Sequence, residues 1–529
     1  MGQSVDVLIV GWDGAPPEKL EEYAAAGLLP TFAALKEGGA WGRVRSTIPP
    51  VTAPAWASFH TGANPGGHGI FGWAVRQERS YIPTLADGGS LALPTFWEQL
   101  SSHGIRVGVI GFPLTHPARE VEGFWFPGLL SPPGADGHPP GIVREALARV
   151  PGWQATPREW SRGTDPEAWT ETLVDSVRAQ AEVALQLAQR FRPQVLGIHF
   201  QATDTVQHYL WGEELVEEVF RVADSTLATL LEALRPRLVI LMSDHGMGPV
   251  EGEFHINTWL WREGFLALRR RPPSWCRAGL FELGWNPRGL ERLAWLGYRA
   301  ALRLRLMHSW ADVVREGSPL ARLSRWGFLS LADVDWRRTW AYSHSEIGSL
   351  FLNRVGREPQ GRVTSADAPR VLRDLSQALE ELTLPSGRPL LGRLFFGEEL
   401  YRGPYSSLGP DLLFLSDGLR WMGKGLGGFL SHHVFTPAAV RGGHRMEGAL
   451  LLHGEGVAPA APEAAGLWDI APTVLAYLGV PIPSWMDGRP LEELFQPGTL
   501  QVARQAIEST RELAQGKDTI ERLRGLGYL

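Results

Sequence analysis

The sequence predicts a doubly wound α/β fold: a mostly parallel sheet with helices on both faces, carrying a helical insertion. Three observations lead there. Short, almost uninterrupted apolar runs recur along the chain. Helical patterns lie between them. Residues suited to catalysis or metal binding follow directly after several of the runs.

The runs cover residues 5–11, 106–112, 194–200, 237–243 and 449–453. Strands this apolar suit a parallel sheet, whose two faces are both covered. In residues 169–192, Leu173, Val177, Ala181, Ala184 and Ala188 fall on one helical face. Strands alternating with helices indicate a doubly wound sheet, in which ligands bind beyond the carboxyl ends of the strands. Asp13 follows the first run, Asp204 and His208 follow the third, and Asp244 and His245 follow the fourth. Residues far apart in sequence are thereby expected at one sheet edge.

The chain has 529 residues, ample for a large core with insertions. Its net charge of -6 argues against a general nucleic-acid binder, and none is expected as a partner. Cys276 is the single cysteine, so no internal disulfide forms and nothing points to an oxidising compartment. The N-terminus reads as a strand rather than a signal peptide, and no run approaches the ~20 apolar residues of a membrane span. The expected location is the cytoplasm. Residues 1–260 and 331–500 are read as the catalytic α/β domain, 261–330 as an Arg- and Trp-rich helical insertion or cap, and 501–529 as a helical tail. Residues 262–325 hold 13 Arg and no Lys against 5 acidic residues, a net charge of +8. Basic amphipathic helices can rest on anionic membranes or attract phosphorylated substrates. Arg outnumbers Lys throughout this chain, however, so an ordinary solvated surface is the simpler reading of 261–326.

Thr52 lies between prolines at 50 and 54, which stiffen its backbone. Its hydroxyl either caps the helix beginning near Ala53 or acts as a nucleophile activated by a nearby metal. Asp204 and His208 are four residues apart and share one helical face, as a metal pair or a structural pair would. Asp244 and His245 end an apolar run before Gly246, which suits either a tight turn or a bridge between two sites. Gly423, Gly425 and Gly428 fit G-x-G-x-x-G but join no strand to a helix, so they are read as a mobile loop leading towards His444 rather than a dinucleotide site. His432 and His433 are minor ligand candidates. His255 and His344 could line a pocket, but packing roles are simpler.

The segments GWDG, PPVTAPAWASFHTGANPGGHGI, ATDTVQH, SDHG and GGHRMEG occur in the order found in the alkaline phosphatase superfamily. The set most resembles the type I phosphodiesterase/nucleotide pyrophosphatase branch, and bacterial phosphohydrolases or phosphomutases within it. The segment LWDIAPTVLAYLGVPIPSWMDGRPL resembles the superfamily's C-terminal motif, so the resemblance runs from about residue 5 to 491. It implies an alkaline phosphatase-like fold and a two-metal hydrolase acting on a small phosphorylated substrate. One metal would be held by Asp13, Asp244, His245 and Thr52, the other by Asp204, His208 and His444. Zinc is the implied ion, with manganese as the alternative. Thr52 would attack phosphorus, and the phosphothreonine intermediate would then be hydrolysed. Where the nucleotide pyrophosphatase branch places a phosphate-contacting Asn, this chain has Trp73; Arg76 or Arg79 is the substitute candidate. A phosphomutase on the same metal core is the rival reading, although relatives of that kind usually carry Ser at the nucleophile. A sulfatase is disfavoured, because Thr52-Ala53-Pro54-Ala55-Trp56 lacks the Cys or Ser and the Arg of that branch. A binding protein of the same fold without turnover would not need all seven metal-site residues.

Overall fold

The computed structural model describes residues 5–77, 79–132, 134–156, 160, 163–289, 328–345 and 347–506. Most of the Arg-rich stretch, 290–327, and the tail from 507 onward lie outside the described residues. The expected helices over 290–310 and 507–529 therefore lie outside them too.

Nine strands position the site: β1 Val7–Trp12, β2 Ala40–Arg45, β3 Val107–Ile110, β4 Gly123–Phe126, β5 Val195–Phe200, β6 Leu238–Met242, β7 Gly246–Pro249, β8 Gly442–Arg445 and β9 Glu447–Gly454. Seven of them form the central sheet, in the order β2-β9-β6-β1-β5-β3-β4. β1 pairs in parallel with β5 and β6, and β3 pairs in parallel with β4 and β5. β9 is the exception. It runs antiparallel to both β2 and β6, whereas its apolar run suggests a parallel strand. A strand buried on both faces has the same composition in either direction, so the sequence signal could not tell them apart.

Both faces of the sheet are covered. Along β1, Leu8, Val10 and Trp12 enter one core while Val7 and Ile9 enter the other, as the two-residue period of a strand requires. The first core is closed by two helices, α2 Pro166–Phe191 and α4 Glu214–Leu234. α2 is the helix expected over 169–192. It opens with Asp165 accepting from the Glu167 N–H, has Pro166 at its first position, and ends at Arg192 in the left-handed conformation. The other core is closed by α1 Thr52–Thr61, the short helix Phe96–Ser102 and α5 Ile470–Tyr477. Between α2 and α4, α3 Ala202–Leu210 follows directly from β5.

A third core gathers residues from Phe254 to Phe429, among them Trp259, Tyr342, Leu375 and Phe414. It packs the antiparallel strands Ala341–Tyr342, Ser349–Leu352, Leu412–Ser416 and Leu391–Phe396 against the helix Ala368–Glu380. The described part of the 261–330 stretch contributes Leu266, Phe281 and Leu329 to this core. Residues 501–506 run extended rather than helical, and Arg504–Gln505 pairs with Ile482–Pro483. Among the described residues no helix is long and apolar enough to cross a membrane.

Candidate active site

The seven residues singled out from sequence meet where β1, β5 and β6 end. Asp13 follows β1. Asp204 and His208 sit one turn apart on α3, Asp244 and His245 follow β6, and His444 lies on β8. β8 reaches the site by pairing with β7, with His444 opposite Met247. Thr52 is the first residue of α1. The cap position falls to Val51, whose side chain makes no capping bond. Thr52 Oγ1 lies 3.2 Å from His245 Nε2. The positive end of the α1 dipole lies beside it, which favours an anion there.

All seven are buried. The ligand atoms of Asp13, Asp244 and His245 lie within 4.8 Å of one another, and so do those of Asp204, His245 and His444. His245 thus belongs geometrically to both groups. His208 adjoins the second, with its Nε2 3.1 Å from His444 Nε2 and 3.4 Å from Asp204 Oδ1.

One oxygen of each carboxylate is held and the other is left bare. Trp56 Nε1 and His199 Nε2 hold Asp13 Oδ2 at 2.9 and 2.8 Å. Gln201 Nε2 donates to Asp204 Oδ2 at 3.0 Å, and the Gly14 N–H donates to Asp244 Oδ1 at 3.2 Å. The opposite atoms, Asp13 Oδ1, Asp204 Oδ1 and Asp244 Oδ2, are buried without a hydrogen-bond partner among the described residues. They converge on histidine nitrogens: Asp13 Oδ1 and Asp244 Oδ2 lie 3.6 and 3.2 Å from His245 Nε2, and Asp204 Oδ1 lies 3.6 Å from His444 Nε2.

The imidazoles follow the same rule. Nδ1 of His208, His245 and His444 donates to the carbonyls of Gly442, Gly246 and Pro50 at 2.9, 3.1 and 2.7 Å. A carbonyl only accepts, so on neutral His245 and His444 the proton sits on Nδ1 and Nε2 turns its lone pair inward, while His208 Nε2, 3.1 Å from His444 Nε2, can donate to it. This is the usual way a protein fixes a metal-binding histidine. Orphaned buried carboxylate oxygens beside inward lone pairs are costly in a protein alone. The donor set therefore fits divalent cations.

The electrostatics agree. Burial pushes the Asp244 carboxyl well above its usual range, and the charges of Asp13 and Asp204 push it further. Burial also acts to raise Asp13, but His199 and His245 outweigh it and hold that carboxyl low. Burial acts to lower His208, yet the Asp204 charge wins and its pKa rises. Burial lowers His245, and lowers His444 well below the usual histidine value.

The remaining candidates lie elsewhere. Trp73 is fully buried in a cluster with Ile48, Val51 and Ile70. Arg76 is spent in the third-core region, 3.3 Å from Glu358 and bonded to the Leu408 carbonyl. His432 meets Asn286 at 2.9 Å, and His255 meets Thr436 at 2.9 Å. His344 is buried beside Tyr342 and Phe351. The loop after Gly423 is tied down, because Asn257 Nδ2 donates to the Gly425 carbonyl at 2.9 Å and to Ser343 O at 2.7 Å.

Sequence reasoning missed the residues that aim the ligands: Trp56, His199, Gln201 and Gly14. Trp56 and Gly14 stand inside motifs already noted, but only their neighbours carry obvious chemistry. Gly14 has φ +64°, and a Cβ there would lie 2.9 Å from Asp204 Oδ1. Gly14→Ala should therefore add backbone strain of about 1 kcal/mol and crowd Asp204. We expect metal affinity to fall about 10–100-fold, measured by titration of the chelated protein.

The architecture is that of alkaline phosphatase-like folds. Phosphonoacetate hydrolase from Sinorhizobium meliloti 1021, in complex with phosphonoacetate, superposes with a TM-score of 0.54 at 16% identity, covering 89% of this chain and 94% of that one. Murine ectonucleotide pyrophosphatase/phosphodiesterase 5, in an inactive form with AMP, gives 0.51 at 12% identity, covering 93% and 100%. The alkaline phosphatase PafA gives 0.50 at 15%, covering 94% and 99%. No curated protein sequence matches the chain. The model of the type I phosphodiesterase / nucleotide pyrophosphatase family matches residues 7–390. The chain belongs to that family, and is a phosphoric-ester hydrolase of the alkaline phosphatase superfamily.

Proposed function

We propose that the protein hydrolyses a small phosphoric ester at a two-metal centre, with Thr52 as nucleophile. The observation that carries this is the bare inward oxygen on each of Asp13, Asp204 and Asp244, facing inward-turned Nε2 atoms. Asp13, Asp244 and His245 would hold one cation beside Thr52, and Asp204, His208 and His444 the other. Bound divalent cations, zinc by the donor set or manganese, supply neutralisation of the phosphoryl charge and a lower pKa for nearby hydroxyls. The chain does the rest. The start of α1 binds and orients the phosphoryl group. Thr52 Oγ1 forms the bond to phosphorus as the ester oxygen leaves. Water then cleaves the phosphothreonine, returning the Thr52 hydroxyl. The test is release of nitrophenol from bis-p-nitrophenyl phosphate by chelated and metal-reloaded protein. Turnover only after reloading is expected; full turnover by the chelated protein would refute the reading.

A pH dependence follows. Without metal, the folded protein holds protons on Asp244 and His208 more tightly than free side chains do. Metal must expel those protons, so apparent metal affinity should rise with pH until both groups are deprotonated. Calorimetry in buffers of different ionisation enthalpy should show proton release on metal binding.

A further inference from the structure

The third-core lobe carries a cavity of about 800 Å³ that shares no residue with the catalytic centre. Five arginines line it: Arg269, Arg270, Arg337, Arg338 and Arg362. Among the described residues no acidic one does. Among the described residues none of the five has a carboxylate within 4.0 Å, although most other arginines of this lobe are ion-paired. Two of them have fixed structural work. Arg269 Nε donates to the Val334 carbonyl at 3.2 Å, and Arg362 stacks on Trp340 at 3.4 Å and bonds the Arg338 carbonyl. Arg270, Arg337 and Arg338 are exposed.

Guanidinium groups gathered around one space repel one another, and among the described residues no acidic side chain lines the cavity to offset this. Burial and then the like charges of Arg338 and Arg370 lower the Arg362 pKa, outweighing the opposite pull of Asp367. Planar guanidinium forks match phosphate oxygens in bidentate geometry. Trp261 and Trp275 add aromatic walls, and Trp275 is 57% exposed. Leu283, 86% exposed, lies a short distance along the same segment.

We propose that this cavity is a second anion site, separate from the catalytic centre, that binds a multiply charged phosphate group. The phosphate could be free or could belong to a lipid headgroup, and two probes separate these sources. Full-length wild type is compared with the triple variant Arg270→Gln/Arg337→Gln/Arg338→Gln, which spares the two arginines with structural work. Tripolyphosphate is titrated by calorimetry, and vesicles of phosphatidylcholine, alone or mixed with phosphatidylglycerol, are co-sedimented. Tripolyphosphate held at the catalytic centre contributes equally to both proteins and cancels in the comparison. For a free phosphate, the variant binds tripolyphosphate at least about tenfold more weakly. For a headgroup, wild type sediments with the anionic vesicles only, and the variant does not. In either case hydrolysis of bis-p-nitrophenyl phosphate by the variant stays at the wild-type rate, which also shows it folded. If neither probe distinguishes wild type from this active variant, the proposal is wrong.

Discussion

Thr52→Ala should retain metal and lose turnover by about 10⁴-fold or more, the scale seen when a covalent nucleophile is removed. The two effects separate because Asp13, Asp244 and His245 remain to hold the adjoining cation. Thr52 opens α1 after the cap residue Val51, and Ala is the better helix former, so helix propensity does not oppose the substitution. Thr52→Ser keeps the hydroxyl and should keep measurable turnover. Quenched wild-type enzyme should carry a phosphorylated peptide containing residue 52, and the alanine variant should not. Undiminished hydrolysis by a metal-loaded Thr52→Ala protein would assign the attack to water and remove the covalent intermediate.

Asp244→Asn should show the opposite signs for function and stability. Burial and two neighbouring carboxylates raise the Asp244 pKa, so near neutral pH its charge is a burden on the metal-free fold. A carboxyl with a raised pKa contributes stability below its unfolded value and loses that contribution as pH rises through the folded value. The amide removes this loss while leaving an oxygen for the Gly14 N–H. The chelated variant should therefore melt about 2 °C or more above chelated wild type, with the gap closing as pH is lowered. Zinc should stabilise it far less than wild type, and hydrolysis should drop by about 10³-fold. Scanning calorimetry with and without chelator measures the first two effects. A chelated variant that melts lower would mean that Asp244 is held by interactions stronger than the repulsion described here.

The central strands and the helix over 166–191 were legible in the sequence because their signal is local: apolar runs and a 3.6-residue period. β2 and β4 escaped notice. The alternation of buried and exposed positions in Ala40–Arg45 is broken by Gly42, and Gly123–Phe126 is only four residues long. The direction of β9 was illegible for the reason given above. The candidate ligand set stood out because Asp and His placed just beyond apolar strands are chemically conspicuous. What aims those ligands did not stand out. His199 looks like one more member of a buried strand, and Trp56 like a core aromatic, until Asp13 Oδ2 is found between them. Arg76 illustrates the converse: its charge invited a substrate role, but long-range packing places it against Glu358, which no short motif could reveal.

The pairing of β8 with β7 has a consequence for how the enzyme matures. Six of the seven site residues have been synthesised once the ribosome has passed His245, but His444 is nearly two hundred residues further on. At ~5–20 residues per second, synthesis of the intervening chain takes roughly 10–40 s. During that interval the group containing His444 cannot close, and neither can the central sheet, because β9 pairs with both β2 and β6. The candidate centre is therefore completed late in synthesis, at the same stage as the sheet that carries it.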